Sequence, residues 1–203
     1  ASLPTRERLI AAMLHMLPRK GYHGVGLAEL LAHAQAPKGV LYHHFPGGKS
    51  ALAVAAIDAV VVQLVASLDA LMALHTDPVD ALAVWMGSAQ KRLANSQYER
   101  GCPLATIALE TTPDDVDIRR ALAHGFTAIR EHLALKLLAA GLAAEPARDM
   151  AALMVSAYEG ALLQARVAEH TESMQRTVQA LLPWLRLSLQ AAAVSLPSKK
   201  DTP

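Results

Sequence analysis

The chain has 203 residues, a formal net charge of +1 and a single cysteine. This length fits one large domain, or a small domain followed by a larger one. One cysteine excludes an internal disulfide framework and predicts a reducing, cytoplasmic location. Hydrophobic residues make up 53% of the chain but aromatics only 4%. This excess of Ala, Leu and Val favours helix over strand and excludes a largely disordered chain.

Turn-forming residues divide the chain into nine predicted helices, and no alternating strand pattern is found. Asp77-Pro78 places a capping side chain before a proline, and Thr112-Pro113 repeats this arrangement. Gly141 marks a helix end. The predicted helices cover residues 5–19, 27–34, 38–45, 49–74, 78–97, 103–110, 113–140, 146–169 and 172–194. The sequence therefore predicts an all-α fold.

The segment 51–74 is hydrophobic enough to suggest a membrane span. Its longest run without a charged residue covers only 59–68, whereas a span needs about 20 predominantly apolar residues. Asp58 and Asp69 lie three helical turns apart and would share one narrow polar stripe. A charge in the centre of a span costs roughly 2.5–3.5 kcal/mol. We therefore interpret this segment as a buried helix and predict no membrane partner.

Positive charge is concentrated in the first quarter of the chain. Residues 1–50 carry six Lys or Arg and two acidic residues, a net charge of +4, so the rest of the chain carries −3. Here a helix is followed by a short helix (27–34), a three-residue turn and another short helix (38–45). This is the spacing of a helix-turn-helix, whose second helix can enter the major groove of DNA. The segment is a candidate DNA-binding domain.

The outer face of 38–45 carries side chains suited to DNA. Lys38 can meet a phosphate, Gly39 permits close approach of the backbone, and Val40 can touch a thymine methyl group. The next helix opens with two glycines and Lys49, an arrangement that favours phosphate binding. Further hydrogen-bonding groups come from Tyr42, His43 and His44. From spacing alone, the alternative is that Tyr42 and His44 pack in a small core and that Lys49 is only solvated.

Residues 5–55 resemble the DNA-binding domain of the TetR family of one-component bacterial repressors. The resemblance rests on Gly-Tyr-His-Gly at 21–24, on 27–34, and above all on Ala-Pro-Lys-Gly-Val-Leu-Tyr-His-His-Phe-Pro-Gly-Gly-Lys at 36–49. Gly-Cys-Pro-Leu at 101–104 and Ala-Leu-Glu at 108–110 are similar to the LmrA/YxaF-type subgroup. The resemblance implies DNA contacts from Leu27, Pro37, Lys38, Gly39, Val40, Tyr42, His43, His44 and Lys49. Among these, Tyr42, His44 and Lys49 are expected to hold phosphates, and Val40 and His43 to read bases.

Two positions depart from the family pattern. Gly26 stands where the family usually has a Thr or Ser that caps the second helix, so a cap and a phosphate contact are missing. Pro37 stands where a Ser usually precedes the Lys-Gly pair, and it offers neither a hydroxyl nor an N–H.

The resemblance also implies a C-terminal helical body that binds a small molecule and dimerises. The predicted division is a DNA-binding domain at 1–50, a ligand-binding and dimerisation domain at 51–195, and a disordered tail at 196–203. Met and aromatic side chains suit a permissive apolar pocket, although ordinary core packing is the alternative for each of them. The candidate ligand-binding residues are Trp85, Met86, Phe126, Met154 and Tyr158, with Glu110, His124, Arg130 and Gln164 as weaker polar candidates.

The last two predicted helices are interpreted as a homodimer interface, because a monomer of this size need not bury so much apolar surface there. One is expected to carry small residues along one side: Ser156, Ala157, Gly160, Ala161, Ala165 and Ala168. The other is very apolar, with Leu181, Leu182, Trp184, Leu185, Leu187 and Leu189.

Catalytic, cofactor and metal motifs are not found. The nine histidines include no pair with metal-ligand spacing, and no phosphate loop or nucleophile motif is present. We therefore expect no enzyme activity, no cofactor and no metal. Cys102 lies at a predicted helix start, where a thiolate would be favoured. A redox role for this residue stays open beside the alternative of a small buried apolar side chain.

The sequence hypothesis is a ligand-responsive transcriptional repressor. It would bind an inverted-repeat operator in double-stranded DNA as a homodimer, and a small hydrophobic inducer would release it. The alternative is an all-helical small-molecule binding protein or enzyme without specific DNA binding. An activator or dual regulator with the same fold is not separated from a repressor by the sequence.

Overall fold

The computed structural model describes residues 3–195, which form nine α-helices and no strand. The helices are α1 (Thr5–Gly24), α2 (Leu27–His33), α3 (Val40–His44), α4 (Gly48–Leu74), α5 (Pro78–Asn95), α6 (Pro103–Glu110), α7 (Val116–Ala139), α8 (Ala144–Ala168) and α9 (Glu172–Ser195). The all-α prediction is confirmed. The tail predicted at 196–203 lies outside the described residues.

The first three helices pack around a small core at one end of the molecule. Leu9, Met13 and Leu17 form one face of α1 and are fully buried against Leu30 of α2 and Leu41 of α3. Their spacing of four residues is that of one face of an amphipathic helix, and this periodicity selects the inner face. The outer faces of α2 and α3 are thereby left free of the core.

The long helix α4 joins this end to the rest of the molecule. By length and composition it could cross a membrane, a test that the core helices of many proteins also pass. In the structure it packs against α1, α5, α6 and α7. Asp69 is not simply solvated, because it accepts hydrogen bonds from His132 (2.8 Å) and Lys136 (2.5 Å) of α7. Asp58 stays exposed.

Helix ends follow local capping rules in most places. Asp77 caps α5 by accepting the Val79 N–H at 2.8 Å, and Gly141 ends α7 with a positive φ of 114°. The prediction that α7 starts at Pro113 is wrong, since it begins at Val116. The reason is Asp115, whose carboxylate accepts the backbone N–H and the hydroxyl of Thr112 and holds residues 112–115 in a turn.

The last two helices divide their apolar residues between two sides. The prediction that six small residues of α8 share one side is wrong, because Ala161 and Ala165 are buried inside the chain whereas Ser156 and Ala168 are exposed. Three leucines of α9 are likewise buried in the core, namely Leu181, Leu182 and Leu185. Both helices nevertheless keep exposed apolar side chains, which are Leu153, Leu163 and Val167 on α8 and Trp184, Leu187 and Val194 on α9.

Candidate nucleic-acid interface and effector region

Helices α2 and α3 are held at a fixed angle by their buried faces and by the turn between them. Leu41 and Phe45 anchor α3 in the core, and the Ala36 N–H donates to the Leu31 carbonyl at 2.9 Å. Arg8 of α1 donates from Nε to the Ala34 carbonyl at 3.0 Å and so caps the end of α2. The turn is therefore fixed by backbone hydrogen bonds and by one side chain 26 residues away.

The outer face of α3 gathers most of the predicted DNA-binding residues. Lys38, Gly39, Tyr42 and His43 are exposed, and Tyr42 keeps 58% of its surface accessible. A side chain at Gly39 would meet no atom within 4 Å, so the backbone there can be approached closely. Val40 and His44 are half-buried, Pro37 is exposed, and the rings of His43 and His44 meet edge to face.

The Tyr42 ring is positioned by the start of α4. Gly48 is buried with a φ of 64°, and a Cβ there would lie 3.2 Å from Tyr42 Cε1. Only glycine adopts this backbone conformation without strain and leaves room for the ring. The Gly-Gly pair before Lys49 therefore places Tyr42 at the exposed edge of the helix-turn-helix.

Lys49 and Leu27 are less available than the sequence suggested. The Lys49 ammonium lies 4.6 Å from the centre of the Tyr22 ring, and burial lowers its pKa while Glu110 opposes that shift. Leu27 is half-buried and packs against the N-terminal core. Gly26 precedes α2 with a φ of −74° and no side-chain cap, as the departure from the family pattern predicts.

The predicted ligand-binding residues are not brought together around one cavity. Trp85 donates from its indole N–H to Ser67 Oγ at 2.9 Å, and the Tyr158 hydroxyl donates to the Met86 carbonyl. Met86 and Met154 are almost fully buried. These four are core residues between α4, α5 and α8, which is the alternative that the sequence left open. Of the weaker candidates, His124 and Gln164 are exposed, and Arg130 bonds to Thr127 within α7.

Phe126 lines a shallow cavity of about 520 Å³ on the outside of α6 and α7. Its walls also include Val116, Leu122, Arg119 and Arg120. The cavity is wide and open to solvent, so it does not enclose a ligand.

A second cavity, of about 190 Å³, lies between α6 and α8, and we refer to it as the α6–α8 cavity. Its lining comprises Gly101, Cys102, Ala105, Thr106, Leu109, Glu110, Glu159, Leu162, Leu163 and Arg166. Most of this wall is apolar, and the ionisable groups are two carboxylates, one guanidinium and the Cys102 thiol. Of the residues that the sequence proposed as ligand contacts, only Glu110 lies here.

Cys102 and Glu159 face each other in this cavity. Burial raises the pKa of the Cys102 thiol, and the nearby Glu159 carboxylate raises it further. The expectation that a helix start favours a thiolate is therefore wrong here, because burial and a neighbouring carboxylate outweigh the helix dipole. Burial also raises the pKa of Glu159, and its Oε2 is buried without a hydrogen-bond partner. No group of three or more potential metal ligands comes together among the described residues.

Glu110 also contacts the DNA-binding end. Its Oε2 accepts the backbone N–H of His23 at 3.2 Å, and the imidazole of His23 lies 3.3 Å from Asp115. Its carboxylate occupies the space beside Gly21, where α1 kinks with φ 67° and ψ 178°. Helix α6 therefore touches α1 through a residue that also lines the α6–α8 cavity.

Sequence reasoning missed three residues of this region. Arg8 gives no local signal of its role, because its partners are carbonyls far along the chain. Glu159 could have been noticed, since it is an ionisable residue with Val155, Leu162 and Leu163 one helical turn away. Gly21 was noted only as part of the Gly-Tyr-His-Gly motif, and the need for glycine there comes from its positive φ and from the contact with Glu110.

Comparison with known proteins gives a consistent assignment. The model described as bacterial regulatory proteins of the tetR family matches residues 9–56, and the model of the LmrA/YxaF-like transcriptional regulator C-terminal domain matches 78–180. The chain is 25% identical over 167 residues to the HTH-type transcriptional regulator LmrA of Bacillus subtilis (strain 168), covering 82% of this chain and 89% of that protein. It is 28% identical over 159 residues to the uncharacterized HTH-type regulator YxaF of the same organism, covering 78% and 83%.

A solved structure extends the match to the whole fold. The regulatory protein TetR from Rhodobacter sphaeroides superposes with a TM-score of 0.76 at 26% identity, over 88% of this chain and 97% of that one. The helix-turn-helix, the helical body and both family matches agree, and the chain belongs to the TetR family of transcriptional regulators, with an LmrA/YxaF-like C-terminal domain.

Proposed function

We propose that the protein is a ligand-responsive transcriptional repressor, located in the cytoplasm, that binds an inverted-repeat operator as a homodimer. The observation that carries this proposal is the outer face of α3, where Lys38, Tyr42 and His43 are exposed around an open Gly39 backbone. A short helix of this kind, anchored by Leu41 and Phe45, can lie in the major groove.

The proposed contacts divide into two kinds. Tyr42, Lys38 and His44 lie at the edges of the face and would hold phosphates, which positions the protein without reading sequence. Val40 and His43 would reach base edges. Lys49 rests on the Tyr22 ring and would have to turn outward to meet a phosphate, so its contribution is proposed to be smaller than the sequence suggested. Leu27 and Pro37 would contribute packing and backbone contacts only.

Matched substitutions on and off this face test the proposal. His43→Ala should lose about 1–3 kcal/mol of discrimination between operator and mismatched DNA, while Lys38→Ala should weaken binding to every sequence and reduce the salt slope by about 1. The controls are His124→Ala and Lys91→Ala, which remove exposed residues of the same type from α7 and α5.

Binding is measured by fluorescence anisotropy at stated salt, with excess competitor DNA, on the upstream region of the gene and on sites selected from randomised DNA. If His43→Ala and Lys38→Ala bind the selected site as wild type does, the assignment of α3 as the reading helix is refuted. If selection yields no competitor-resistant site, the protein is the ligand-binding alternative without specific DNA binding.

The homodimer proposal is supported by exposed apolar residues on α8 and α9. On α8, Leu153, Leu163 and Val167 repeat at helical spacing, and a side chain at Gly160 between them would meet no atom within 4 Å. On α9, Trp184 and Leu187 are 50% and 63% exposed. Two such helices from each protomer would form a four-helix, two-fold interface.

Replacing an exposed leucine by glutamate tests whether the apolar face of α8 and α9 forms the dimer interface. Leu187→Glu should give a monomer in analytical ultracentrifugation, because it buries an unpaired carboxylate at the interface. Leu135→Glu, an equally exposed leucine on α7, is the control and should stay dimeric. A dimer that survives Leu187→Glu would move the interface elsewhere.

Release from DNA requires that an effector bind the DNA-incompetent conformation more tightly than the competent one. In this proposal α4 acts as the lever, because it begins beside Tyr42 and continues through the body. The division of the chain at residue 50 is a division of roles, with 1–50 reading DNA and 51–195 binding effector and partner. Trp85, Met86, Met154 and Tyr158 form the apolar core beside the effector region, and Phe126 contributes to the outer cavity.

A further inference from the structure

The α6–α8 cavity has the size and lining of a site for a small amphiphile. Its volume of about 190 Å³ lies below the roughly 300–1,000 Å³ of pockets for drug-sized ligands. Ala105, Leu109, Leu162 and Leu163 make most of the wall apolar. A ligand that fits here is therefore short and mainly aliphatic, with its polar group at one end.

The polar end of the cavity presents one buried carboxylate oxygen that lacks a hydrogen-bond partner. Glu159 Oε2 is buried and accepts no hydrogen bond, although Cys102 interacts with the same carboxylate. An unpaired buried carboxylate oxygen is costly, and a donor that reaches it recovers this cost. Burial raises the pKa of Glu159, and a cation that enters the cavity favours the ionised form of this carboxyl group.

The charges of the wall also favour a cation. Glu110 and Glu159 together outnumber Arg166, the one basic residue of the lining. The aliphatic part of the Arg166 side chain packs beside Gly101. A Cβ added at Gly101 would lie 3.3 Å from Arg166 Cδ. An ammonium group is thus attracted chiefly by Glu159, because the Glu110 carboxylate also interacts with Lys49, and it is opposed by the Arg166 guanidinium.

We propose that the α6–α8 cavity is the effector site of this regulator and takes a small aliphatic amine, whose ammonium group pairs with Glu159 while its hydrocarbon chain packs on the leucines of α6 and α8. This inference rests on the proposed repressor function for its biological role but not for the binding itself.

The same cavity offers a direct route to the DNA-binding end. Glu110 lines the cavity and accepts the His23 N–H of α1 at 3.2 Å. An ammonium ion in the cavity draws the Glu110 carboxylate inward and weakens that hydrogen bond. The kink at Gly21 then loses the group that lies against it, and α1 is free to shift with the helix-turn-helix packed on it.

The first experiment is isothermal titration calorimetry of the 203-residue chain with three probes of equal length, n-butylamine, 1-butanol and butyrate. The amine, charged near neutral pH, should bind at least about tenfold more tightly than the alcohol, with butyrate weakest. Equal affinities for the amine and the alcohol, or no amine binding up to about 10 mM, overturn the proposal.

Glu159→Gln and Glu131→Gln form the matched pair of variants. Glu131 is exposed on α7, away from the cavity lining. Glu159→Gln should weaken amine binding at least about tenfold, whereas Glu131→Gln should leave it unchanged. Circular dichroism checks that each variant is folded. Wild-type affinity in a folded Glu159→Gln protein overturns the assignment of Glu159.

Amide hydrogen exchange tests the route to α1. The His23 amide should exchange faster when butylamine is bound, while the Val79 amide, capped by Asp77, should not change. Unchanged exchange at His23 in saturated protein overturns the coupling through Glu110. None of these readouts uses DNA. Amine binding without specific DNA binding would refute the repressor proposal alone, and DNA binding without amine binding would refute this one alone.

Discussion

The kink of α1 at Gly21 gives the sharpest test of how the body is attached to the DNA-binding end. Gly21 has φ 67° and ψ 178°, a conformation that is essentially restricted to glycine. A Cβ at this position would also overlap the carboxylate of Glu110. Gly21→Ala therefore combines backbone strain with the displacement of a side chain that accepts the His23 N–H.

The expected loss of unfolding free energy in Gly21→Ala is the sum of these two contributions. The backbone conformation costs about 1–3 kcal/mol for a residue with a Cβ. Loss of the hydrogen bond to Glu110, which is partly solvated, adds about 1–2 kcal/mol. The total of about 2–5 kcal/mol should lower the melting temperature by roughly 5–15 °C for a chain of this size.

The assay is urea and thermal unfolding of wild type, Gly21→Ala and a control. Gly24→Ala is the control, because a Cβ there would make only an ordinary contact of 3.4 Å with Lys20. It should leave stability unchanged or raise it by up to about 1 kcal/mol. Glu110→Ala in the Gly21→Ala background removes the overlap but not the backbone strain, so the two changes should be less than additive. An unfolding midpoint for Gly21→Ala equal to that of wild type would refute the reasoning.

Three further predictions concern single residues. Gly26→Thr should stabilise the protein by about 0.4–1 kcal/mol in urea unfolding, because a side chain there meets nothing within 4 Å and the φ of −74° suits a capping residue; a destabilised variant would contradict the open geometry. Gly48→Ala should cost about 1–2 kcal/mol through its φ of 64° and should weaken DNA binding by shifting the Tyr42 ring, with unfolding and anisotropy as the measurements; unchanged values in both would disprove it. The raised pKa of Glu159 means that the folded state holds its proton more tightly than the unfolded state, so the contribution of Glu159 to stability should fall as pH rises from about 4.5 through the folded-state pKa. The stability difference between wild type and Glu159→Gln in urea titrations isolates this contribution from that of Asp69 and Asp115, whose pKa values are lowered, and it should fall over that range; a difference that does not change with pH would contradict the raised pKa.

The reading helix was accessible to sequence reasoning because its signals are local. Lys38, Gly39 and Tyr42 are separated from the buried Leu41 and Phe45 by helical periodicity alone. The start of α5 was equally accessible, since Asp77 caps a backbone N–H only two residues away.

The proposed effector site could not be predicted from the sequence in the same way. Met86, Met154 and Tyr158 were chosen by residue type, and type alone does not tell a pocket wall from a packed core. The cavity instead depends on how closely α6 approaches α8, and that distance is set by side chains on both helices. Glu159 and Cys102 lie 57 positions apart in the sequence and meet only in the folded chain.

By itself the sequence determined the all-α fold, the places where most helices begin and end, and the helix-turn-helix with its outer face. These features depend on capping, turn residues and periodicity within a few residues of each other. Tertiary structure alone decided that Lys49 rests on Tyr22, that Arg8 caps α2, and that Glu110 joins the cavity to α1 across 87 residues. Such contacts arise when helices pack, because packing brings distant side chains within hydrogen-bonding range and removes the water that would otherwise satisfy them.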